Sequence, residues 1–413
     1  MALFKKKIFC RLCKSKDLVS SYTLEDTPIE DDYTKKKNTK ILIPTEIKSC
    51  KMCGFKQLSV TVNEKKVYGD FLYATGTSYK LKEHFRNHYK KINKFTKNLK
   101  KEDLIVDFGS SDGTNLEIFK KKGYKNLVGI EPSKRLSKIT KKKKIDVITD
   151  FFSNKVAKKI KKKYGTAKIV CIYNLLANID DLDSFFKNLK IFTNKNTTIF
   201  FENFSLLGVI KENLFDSVYH EHLSYFHIKP LQGFLKKYGW NIKYAGHNKV
   251  KGGSLELILG KDVFGIDKKS ITNSLKVEKK YKLMEHTIFN KIIKKNKIIK
   301  IKLNKILKKF EDKRIVGYGA SCGSTVFLYN YGLTKKFKFL LDDEKRRNNL
   351  YSPGANIKVF NPTIKIMSKI DIILIISWRY GKIIYKKYQE RFVKKIKNKI
   401  LWLQVLPKIK IIK

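Results

Sequence analysis

The stretch LIVDFGSSDGTNLEIFKKKGYKNLVGIEPS, residues 104–133, decides the fold of this chain. Its first apolar run predicts a buried parallel strand, two glycines then break the pattern, and a helix is predicted over 115–122. A second apolar run ends on Glu131. Such a unit places helix N-terminal N–H groups and a carboxylate at the end of the next strand, where the carboxylate can accept from ribose hydroxyls.

The glycine spacing of DFGSSDG, residues 107–113, distinguishes between nucleotide cofactors. A dinucleotide-binding loop has glycine at the position of Ser111. The stretch instead resembles the first motif of class I S-adenosylmethionine (SAM) methyltransferases, in which acidic side chains meet the ammonium group and the ribose. A glycine turn of ordinary α/β structure is the alternative. The predicted cofactor-binding residues are Asp107, Gly109, Asp112, Gly113, Glu131, Asp150, Phe151 and Asn174.

Composition sets limits on the class of protein. The 413 residues are enough for two or three domains with substantial cores. The net charge of +54 is typical of nucleic-acid binding, but only 8 of the 91 basic residues are Arg, and the lysines are spread along the whole chain. Arg is the residue suited to bidentate phosphate and guanine recognition. We therefore expect no nucleic-acid partner, and a modest attraction to anionic small substrates.

The N-terminal residues and the apolar runs indicate where in the cell the protein is expected to be. The first ten residues, MALFKKKIFC, have no apolar stretch after the lysines, so we expect no signal peptide. Apolar runs such as 372–376 are much shorter than the ~20 residues that span a bilayer. We expect a cytoplasmic protein without a membrane partner.

Residues 1–66 carry two C-x-x-C pairs. Their spacing satisfies a tetrahedral zinc site with four thiolates, which leaves no open position for catalysis, so the metal would be structural. Reduced pairs and disulfides are the alternatives, and a cytoplasmic chain disfavours disulfides. The predicted metal ligands are Cys10, Cys13, Cys50 and Cys53.

Two further segments contain closely spaced histidines, and they differ in how many other polar residues accompany them. His84 and His88 are four residues apart on a predicted helix, and without an accompanying glutamate we interpret them as surface or core histidines. Residues 219–227, YHEHLSYFH, contain three histidines, one glutamate and two tyrosines. We favour a proton-transfer site in this segment because imidazole titrates near ~6.5. Glu221 is a candidate to orient the imidazole. A zinc site and a merely hydrogen-bonded loop are the alternatives.

The order of these motifs resembles the three-domain sugar C-methyltransferases, which methylate C3 of nucleotide-linked 4-keto-deoxysugars. The resemblance spans nearly the whole chain, from the two C-x-x-C pairs through YHEHLSYF to a C-terminal GYGA segment at 317–320. It implies that His222 removes the C3 proton and that Tyr219 and Glu221 lie beside the sugar. Tyr73 matches a tyrosine that the segment before the SAM domain supplies.

Three positions depart from the family pattern. The family has histidine in N-x-L-A-H after the fourth strand, where this chain has Asn178, which can bind a substrate but cannot shuttle a proton. Lys251 and Glu256 stand where histidine and arginine are common in the family. The Asn178 change makes O- or N-methyl transfer on another small molecule the leading alternative, and a non-catalytic zinc- and nucleotide-binding module is a second.

The domain organisation follows from these motifs. We predict an α/β protein with a zinc-binding domain over 1–66 and a class I methyltransferase domain of Rossmann type over 67–265. A helical linker and a smaller Rossmann-like domain, suited to holding the nucleotide-sugar, are predicted over 266–413. The cofactors are SAM and structural Zn²⁺, and we expect a monomer.

Overall fold

The N-terminal part is built on short antiparallel strands. The computed structural model describes residues 2–68, 74–77, 79–397 and 399–412. Its first elements are β1 (Phe4–Lys6), β2 (Leu18–Thr23), β3 (Glu46–Cys50), β4 (Lys56–Leu58), β5 (Val60–Val62) and the short helix α1 (Glu64–Tyr68). β1 pairs with β5, while β2, β3 and β4 form one side of a four-stranded sheet.

The central part follows the alternation of strands and helices that the sequence predicts. Its elements are α2 (Tyr79–Phe95), β6 (Leu104–Phe108), α3 (Thr114–Lys121), β7 (Leu127–Ile130), α4 (Lys134–Lys142), β8 (Asp146–Ile148), α5 (Asn154–Tyr164), β9 (Ala167–Tyr173), α6 (Leu182–Leu189), β10 (Thr198–Phe204), α7 (Leu206–Glu212), β11 (Ser224–Tyr225), α8 (Ile228–Lys236), β12 (Asn241–Asn248) and β13 (Ser254–Gly260).

Seven of these strands form the central sheet in the order β12-β13-β10-β9-β6-β7-β8. β8, β7, β6, β9 and β10 are parallel, and β13 runs antiparallel to both β10 and β12. The predicted hairpin over 241–260 is therefore confirmed. β6 and β10 are buried along their whole length because helices cover both faces. The strand order reverses between β6 and β9, and the crevice at the carboxyl ends of such strands is where α/β proteins bind ligands.

The C-terminal part starts with two linker helices and continues as a second α/β unit. Its elements are α9 (Lys268–Lys280), α10 (Asn290–Lys308), β14 (Ile315–Tyr318), α11 (Cys322–Asn330), β15 (Leu340–Leu341), β16 (Val359–Phe360), α12 (Ile364–Met367), β17 (Ile372–Ile375), α13 (Gly381–Arg391), β18 (Leu401–Gln404) and β19 (Lys410–Ile412). The strand order is β16-β15-β14-β17-β18-β19, with only β19 antiparallel to its neighbour. Helices α9 and α10 lie within the range of the predicted linker, and the predicted Rossmann-like topology is confirmed.

The N-terminal sheet takes its fourth strand from the central part of the chain. β11 pairs antiparallel with β4, with Ser224 opposite Gln57 and Tyr225 opposite Lys56. The predicted domain limit near residue 66 falls after β5, but the sheet on the N-terminal side of that limit includes Ser224 and Tyr225, which belong to the histidine-rich loop, residues 215–227. We retain the three predicted ranges as proposed domains. Within the described residues no helix is long and apolar enough to cross a membrane.

Arg11 links the N-terminal and central parts. Its side chain is fully buried, and Nε donates to Asp180 Oδ1 at 2.9 Å. The two terminal nitrogens donate to the carbonyls of Leu58 and Val60 and to the Thr61 hydroxyl. Burial lowers the Arg11 pKa, and the nearby Asp180 carboxylate opposes that shift. A buried guanidinium whose three nitrogens all donate hydrogen bonds thus fixes the first C-x-x-C turn to the chain just beyond β9.

Replacing Arg11 by alanine is expected to destabilise the protein strongly. The Arg11→Ala variant leaves the carbonyls of Leu58 and Val60 without the guanidinium, and each unsatisfied buried acceptor costs about 1–3 kcal/mol, whereas Asp180 keeps Lys7 and Thr61 as donors. The free energy of unfolding, measured by chemical denaturation, checks this value. Arg86 is exposed, so Arg86→Ala is the matched control, with an expected change within about 0.5 kcal/mol. Equal effects in the two variants would contradict the role of Arg11.

Candidate functional site

The four cysteines of the C-x-x-C pairs converge. The Sγ atoms of Cys10 and Cys53 lie 3.7 Å apart, and those of Cys13 and Cys50 lie 3.5 Å apart. All four sulfurs lie within 4.8 Å of one another. Zinc–thiolate bonds of ~2.3 Å in a tetrahedron separate the sulfurs by roughly 3.8 Å, so the donor set fits Zn²⁺. The four thiolates would fill its coordination sphere.

The glycine loop after β6 is tied to the end of β7 by Glu131. Its Oε2 accepts from the Ser111 N–H at 3.0 Å, and its Oε1 accepts from the Ser133 N–H at 2.9 Å. Gly109 and Ser111 have φ values of +61° and +52°. Glycine adopts a positive φ freely, whereas the positive φ of Ser111 is strained, and such strain is concentrated at ligand sites. Each carboxylate oxygen of Glu131 retains a second lone-pair direction, so the residue is compatible with hydrogen bonding to a ribose.

Asp112 fastens the preceding chain onto the same loop. Oδ2 accepts from the Gly76 N–H at 2.9 Å, and Oδ1 accepts from the Thr114 hydroxyl at 2.7 Å. A Cβ at Gly76 would lie 2.3 Å from Asp112 Oδ2, so this close approach requires glycine. Gly113, with φ +74°, begins helix α3. Residues 74–77 therefore pack over the glycine loop.

The other predicted cofactor residues differ in burial. Asp107 is buried, and its desolvation raises its pKa to about 7. Asp150 is exposed and accepts from the Phe151 N–H at 2.8 Å, while Phe151 is half-buried. Phe152 packs on Phe108 at 4.6 Å between ring centroids. Phe152 is therefore part of the aromatic core beside β6.

The crevice between β6 and β9 contains the next group of predicted residues. Asn174 follows β9 with φ +53°, and its N–H donates to the Glu202 carbonyl. A Cβ at Gly109 would lie 3.5 Å from Leu175, so the loops after β6 and β9 are in contact. In the part of the chain that the structure describes, the buried Oδ1 of Asn178 has no hydrogen-bond partner. This oxygen is an acceptor that a ligand could use.

His222 lies beside that crevice. The Leu223 N–H donates to the Ala177 carbonyl at 2.7 Å, which places the histidine-rich loop against residues 176–178. The imidazole stacks on Phe204 with centroids 3.9 Å apart and packs on Tyr219 at 4.0 Å. The glycine loop and the histidine-rich loop therefore lie at the same edge of the sheet.

The protonation state of His222 follows from its surroundings. Nδ1 lies 2.9 Å from the Ser217 carbonyl, so this nitrogen carries the proton and Nε2 carries the free lone pair. Burial, together with the positive charges of Lys251 and Arg379, lowers the His222 pKa to about 3. The ring is thus neutral near pH 7. Ser217 orients it, whereas the sequence suggested Glu221 for that role.

The remaining histidines of the loop serve as structural contacts with the N-terminal part. His220 Nδ1 lies 2.8 Å from Glu30 Oε1, and its Nε2 donates to the Pro44 carbonyl. Burial opposes ionisation of His220, but the Glu30 carboxylate outweighs it and raises the pKa. His227 donates to the Gly54 carbonyl at 3.2 Å. The three imidazoles have separate partners, so the described residues do not form the alternative zinc site on this loop.

Glu221 faces the C-terminal part. The Cys322 thiol, at the start of α11, donates to its Oε1 at 3.6 Å. Burial, and then the negative charges of Asp31 and Glu30, raise the Glu221 pKa to about 8. Arg347 pairs with Asp31 at 2.6 Å and compensates part of this negative charge. Three separate segments of the chain therefore supply the electrostatic environment of Glu221.

Two cationic side chains, Lys251 and Arg379, act on His222, and Arg379 is held by contacts of its own. Arg379 Nη1 donates to the Ser217 hydroxyl at 3.4 Å, and its Nη2 lies 3.6 Å from Asp216 Oδ2. Trp378 Nε1 also donates to Asp216 Oδ2, at 3.0 Å. The sequence analysis does not predict Arg379 as a site residue. Arg379 is one of only eight arginines in the chain, and this rarity was the signal that could have indicated it. Tyr73, a predicted site residue, lies outside the described residues.

Comparisons with known proteins match the three parts of the chain separately. A zinc binding domain model matches residues 10–68, a methyltransferase domain model matches 81–245, and the model of the C-methyltransferase C-terminal domain matches 249–401. The curated C-methyltransferase NovU from Streptomyces niveus is 22% identical over 381 residues, which cover 90% of each chain.

Solved structures similar to this chain include other methyltransferases. A SAM-dependent methyltransferase from Anabaena variabilis is 15% identical, with a TM-score of 0.35, and the match covers 42% of this chain and 84% of that one. The magnesium protoporphyrin IX methyltransferase of Synechocystis is 12% identical, with a TM-score of 0.34 and coverages of 48% and 93%.

The raised pKa of Glu221 predicts a pH-dependent loss of stability. Between the usual value of 4.5 and about 8, the folded state keeps the Glu221 proton while the unfolded state releases it. The contribution of this residue therefore becomes less favourable as pH rises through that window, by up to a few kcal/mol. Glu221→Gln removes this loss, so its stability relative to the parent protein should increase from pH 4.5 to pH 8.

Chemical denaturation at several pH values measures this difference. Glu285 is exposed, and Glu285→Gln serves as the control that should parallel the parent protein. A stability difference for Glu221→Gln that stays constant with pH would contradict the raised pKa.

Proposed function

Because the chain belongs to the three-domain SAM-dependent C-methyltransferases, we propose that it methylates C3 of a nucleotide-linked 4-keto-deoxysugar. The observation that carries the proposal is the state of His222. Its Nδ1 is committed to the Ser217 carbonyl, and its neutral ring presents Nε2 as a base beside the crevice of the sheet. A ketone next to the target carbon acidifies the C3 proton, and an anionic substrate would offset the positive charges that lower the His222 pKa.

The cations beside His222 suit the charge that proton removal creates. Loss of the C3 proton turns the ketone oxygen into an enolate oxyanion. Lys251 and Arg379 both exert positive charge at the His222 ring. Fixed positive groups near a developing oxyanion stabilise the transition state. Tyr219, packed against the same ring, is proposed to contact the sugar, as is Glu221. Tyr73, which lies outside the described residues, is assigned a similar place.

The residues of the glycine loop are proposed to hold the cofactor. SAM, when bound, supplies an electrophilic methyl group on a sulfonium. Glu131 and Asp150 suit the ribose and adenine end because they follow β7 and β8, and Phe151 suits the adenine ring. Asp107 and Asp112 are assigned to the methionine end with Gly109, Gly113 and Asn174. Positioning of both reactants supplies a large share of the expected acceleration.

The C-terminal domain is assigned to the nucleotide part of the substrate. It contributes Arg379 and Cys322 to the surroundings of the histidine-rich loop. Asn178 is proposed to hydrogen-bond the sugar through its unpartnered Oδ1. The cytoplasmic location, the monomeric state and the nucleotide-sugar class remain predictions.

Product analysis tests the proposed function directly. The purified protein is incubated with SAM carrying an isotope-labelled methyl group and a panel of nucleoside-diphosphate-linked 4-keto-deoxysugars. NMR of the product is expected to place the label on a sugar carbon next to the ketone. A label on oxygen or nitrogen would favour the O- or N-methyltransferase that Asn178 keeps open. Absence of SAM binding by calorimetry would favour the non-catalytic module.

The base assignment predicts a specific defect in His222→Asn. Asparagine keeps an N–H group near the Ser217 carbonyl but has no basic nitrogen. Turnover should fall by about 10²–10⁴-fold, since this is the usual contribution of a general base. Exchange of the C3 proton with D₂O in the absence of SAM should fall equally. SAM binding by calorimetry should remain unchanged.

His286 is exposed in the linker, so His286→Asn is the matched control with normal exchange and turnover. Normal exchange in His222→Asn would overturn the assignment even if methyl transfer were slow.

A further inference from the structure

A second histidine–carboxylate cluster lies on the face of the sheet that α2 covers. His84 and His88 occupy successive turns of α2, and their ring centroids are 4.1 Å apart. Both Nε2 atoms approach the same oxygen of Glu202 on β10, at 2.7 and 3.3 Å. The sequence alone suggested ordinary surface or core histidines. The fold instead brings them together with a carboxylate more than a hundred residues away.

The cluster contains buried polar atoms that lack partners. The Glu202 side chain is fully buried, and the His88 side chain is 4% exposed. Within the described ranges, neither ring nitrogen of His88 makes a hydrogen bond of acceptable geometry, and Glu202 Oε1 has none either. Buried donors and acceptors are satisfied in the great majority of cases. The unsatisfied atoms therefore point to a group that the protein side chains do not provide.

The charges in the cluster also call for a cation. Lys91 is the nearest full positive charge on α2, but it donates to both oxygens of Glu256 at 2.7 and 2.8 Å. The buried Glu202 carboxylate faces the two imidazoles, the amide of Asn248, which donates to Oε2 at 2.7 Å, and the more distant positive charge of Lys251. His88 Nε2 also lies 3.4 Å from Glu256 Oε1, so the carboxylates of two glutamates face the imidazoles.

We propose that His84, His88 and Glu202 bind a divalent first-row transition-metal ion, with Zn²⁺ as the ion to test. One Nε2 from each histidine and one carboxylate oxygen all lie within 4.8 Å of one another. Imidazole and carboxylate ligands suit this class of ion. Zinc–nitrogen bonds of ~2.0–2.1 Å in a tetrahedron give ligand separations of roughly 3.3–3.4 Å, which the 3.3 Å between His88 Nε2 and Glu202 matches. The 2.7 Å between His84 Nε2 and Glu202 is that of a hydrogen bond, which a bound ion would replace by a slightly longer separation.

The position of the cluster lets an ion enter from solvent and lets a bound ion stabilise the contact between α2 and the sheet. The His84 side chain is 13% exposed, so an ion can reach the cluster from solvent. Glu202 lies on β10 beside Tyr173, whose ring packs on His88 at 5.3 Å. The metal fastens α2 to the sheet, and α2 follows the turn at Gly76 that covers the glycine loop. This site is separate from the four cysteines and does not depend on the proposed reaction.

Metal analysis of the full-length protein tests the proposal. After incubation with excess Zn²⁺ and removal of free metal, the parent protein should retain two zinc ions per chain, and His88→Leu should retain one. The exposed His286 offers the control His286→Leu, which should retain two. A single ion in the parent protein, or two in His88→Leu, would overturn the site.

X-ray absorption at the zinc edge of the parent protein does not depend on the folding of any variant. Two occupied sites should give a mixed first shell, with nitrogen and oxygen ligands beside sulfur. A shell of four sulfurs alone would overturn the proposal.

Discussion

The histidine-rich loop is held by contacts with every other part of the molecule, and the geometry of the site depends on this constraint. The N-terminal sheet pairs β4 with β11, and Glu30 holds His220. The C-terminal part reaches the loop through Trp378 and Cys322. The chain after β9 supports it through the Ala177 carbonyl. A loop fixed from three directions can keep its imidazole in one orientation without being part of a regular element.

The same enclosure sets the charges of the site. Burial keeps His222 neutral and raises the Glu221 pKa to about 8. An ionised Glu221 would add negative charge next to Asp31 and Glu30, whereas its neutral form can donate a hydrogen bond. A neutral imidazole next to two cations accepts a proton only weakly in the absence of ligand. Binding of an anionic substrate would offset that positive charge, so the basicity of His222 is expected to rise when the substrate is present.

Local sequence patterns predicted those features that rest on short-range physics. The turn at Gly109, the C-x-x-C pairs and the hairpin over 241–260 each need particular residues at particular spacings, so they could be read directly. The contact of His84 with Glu202 could not, because the two residues are 118 positions apart and only the sheet order brings them together. For the same reason the sequence predicts that Glu221 orients the imidazole of its neighbour His222, whereas in the structure Glu221 accepts from the Cys322 thiol.

The donated strand β11 makes the N-terminal and central parts mutually dependent. Two residues, Ser224 and Tyr225, complete the edge of a sheet whose other strands precede residue 60. Cutting the chain between these parts would expose the unpaired N–H and C=O groups of β4, and such open edges promote aggregation. It would also release the segment that carries His222. The N-terminal and central parts therefore cannot be exchanged independently of one another, although each matches a separate family model.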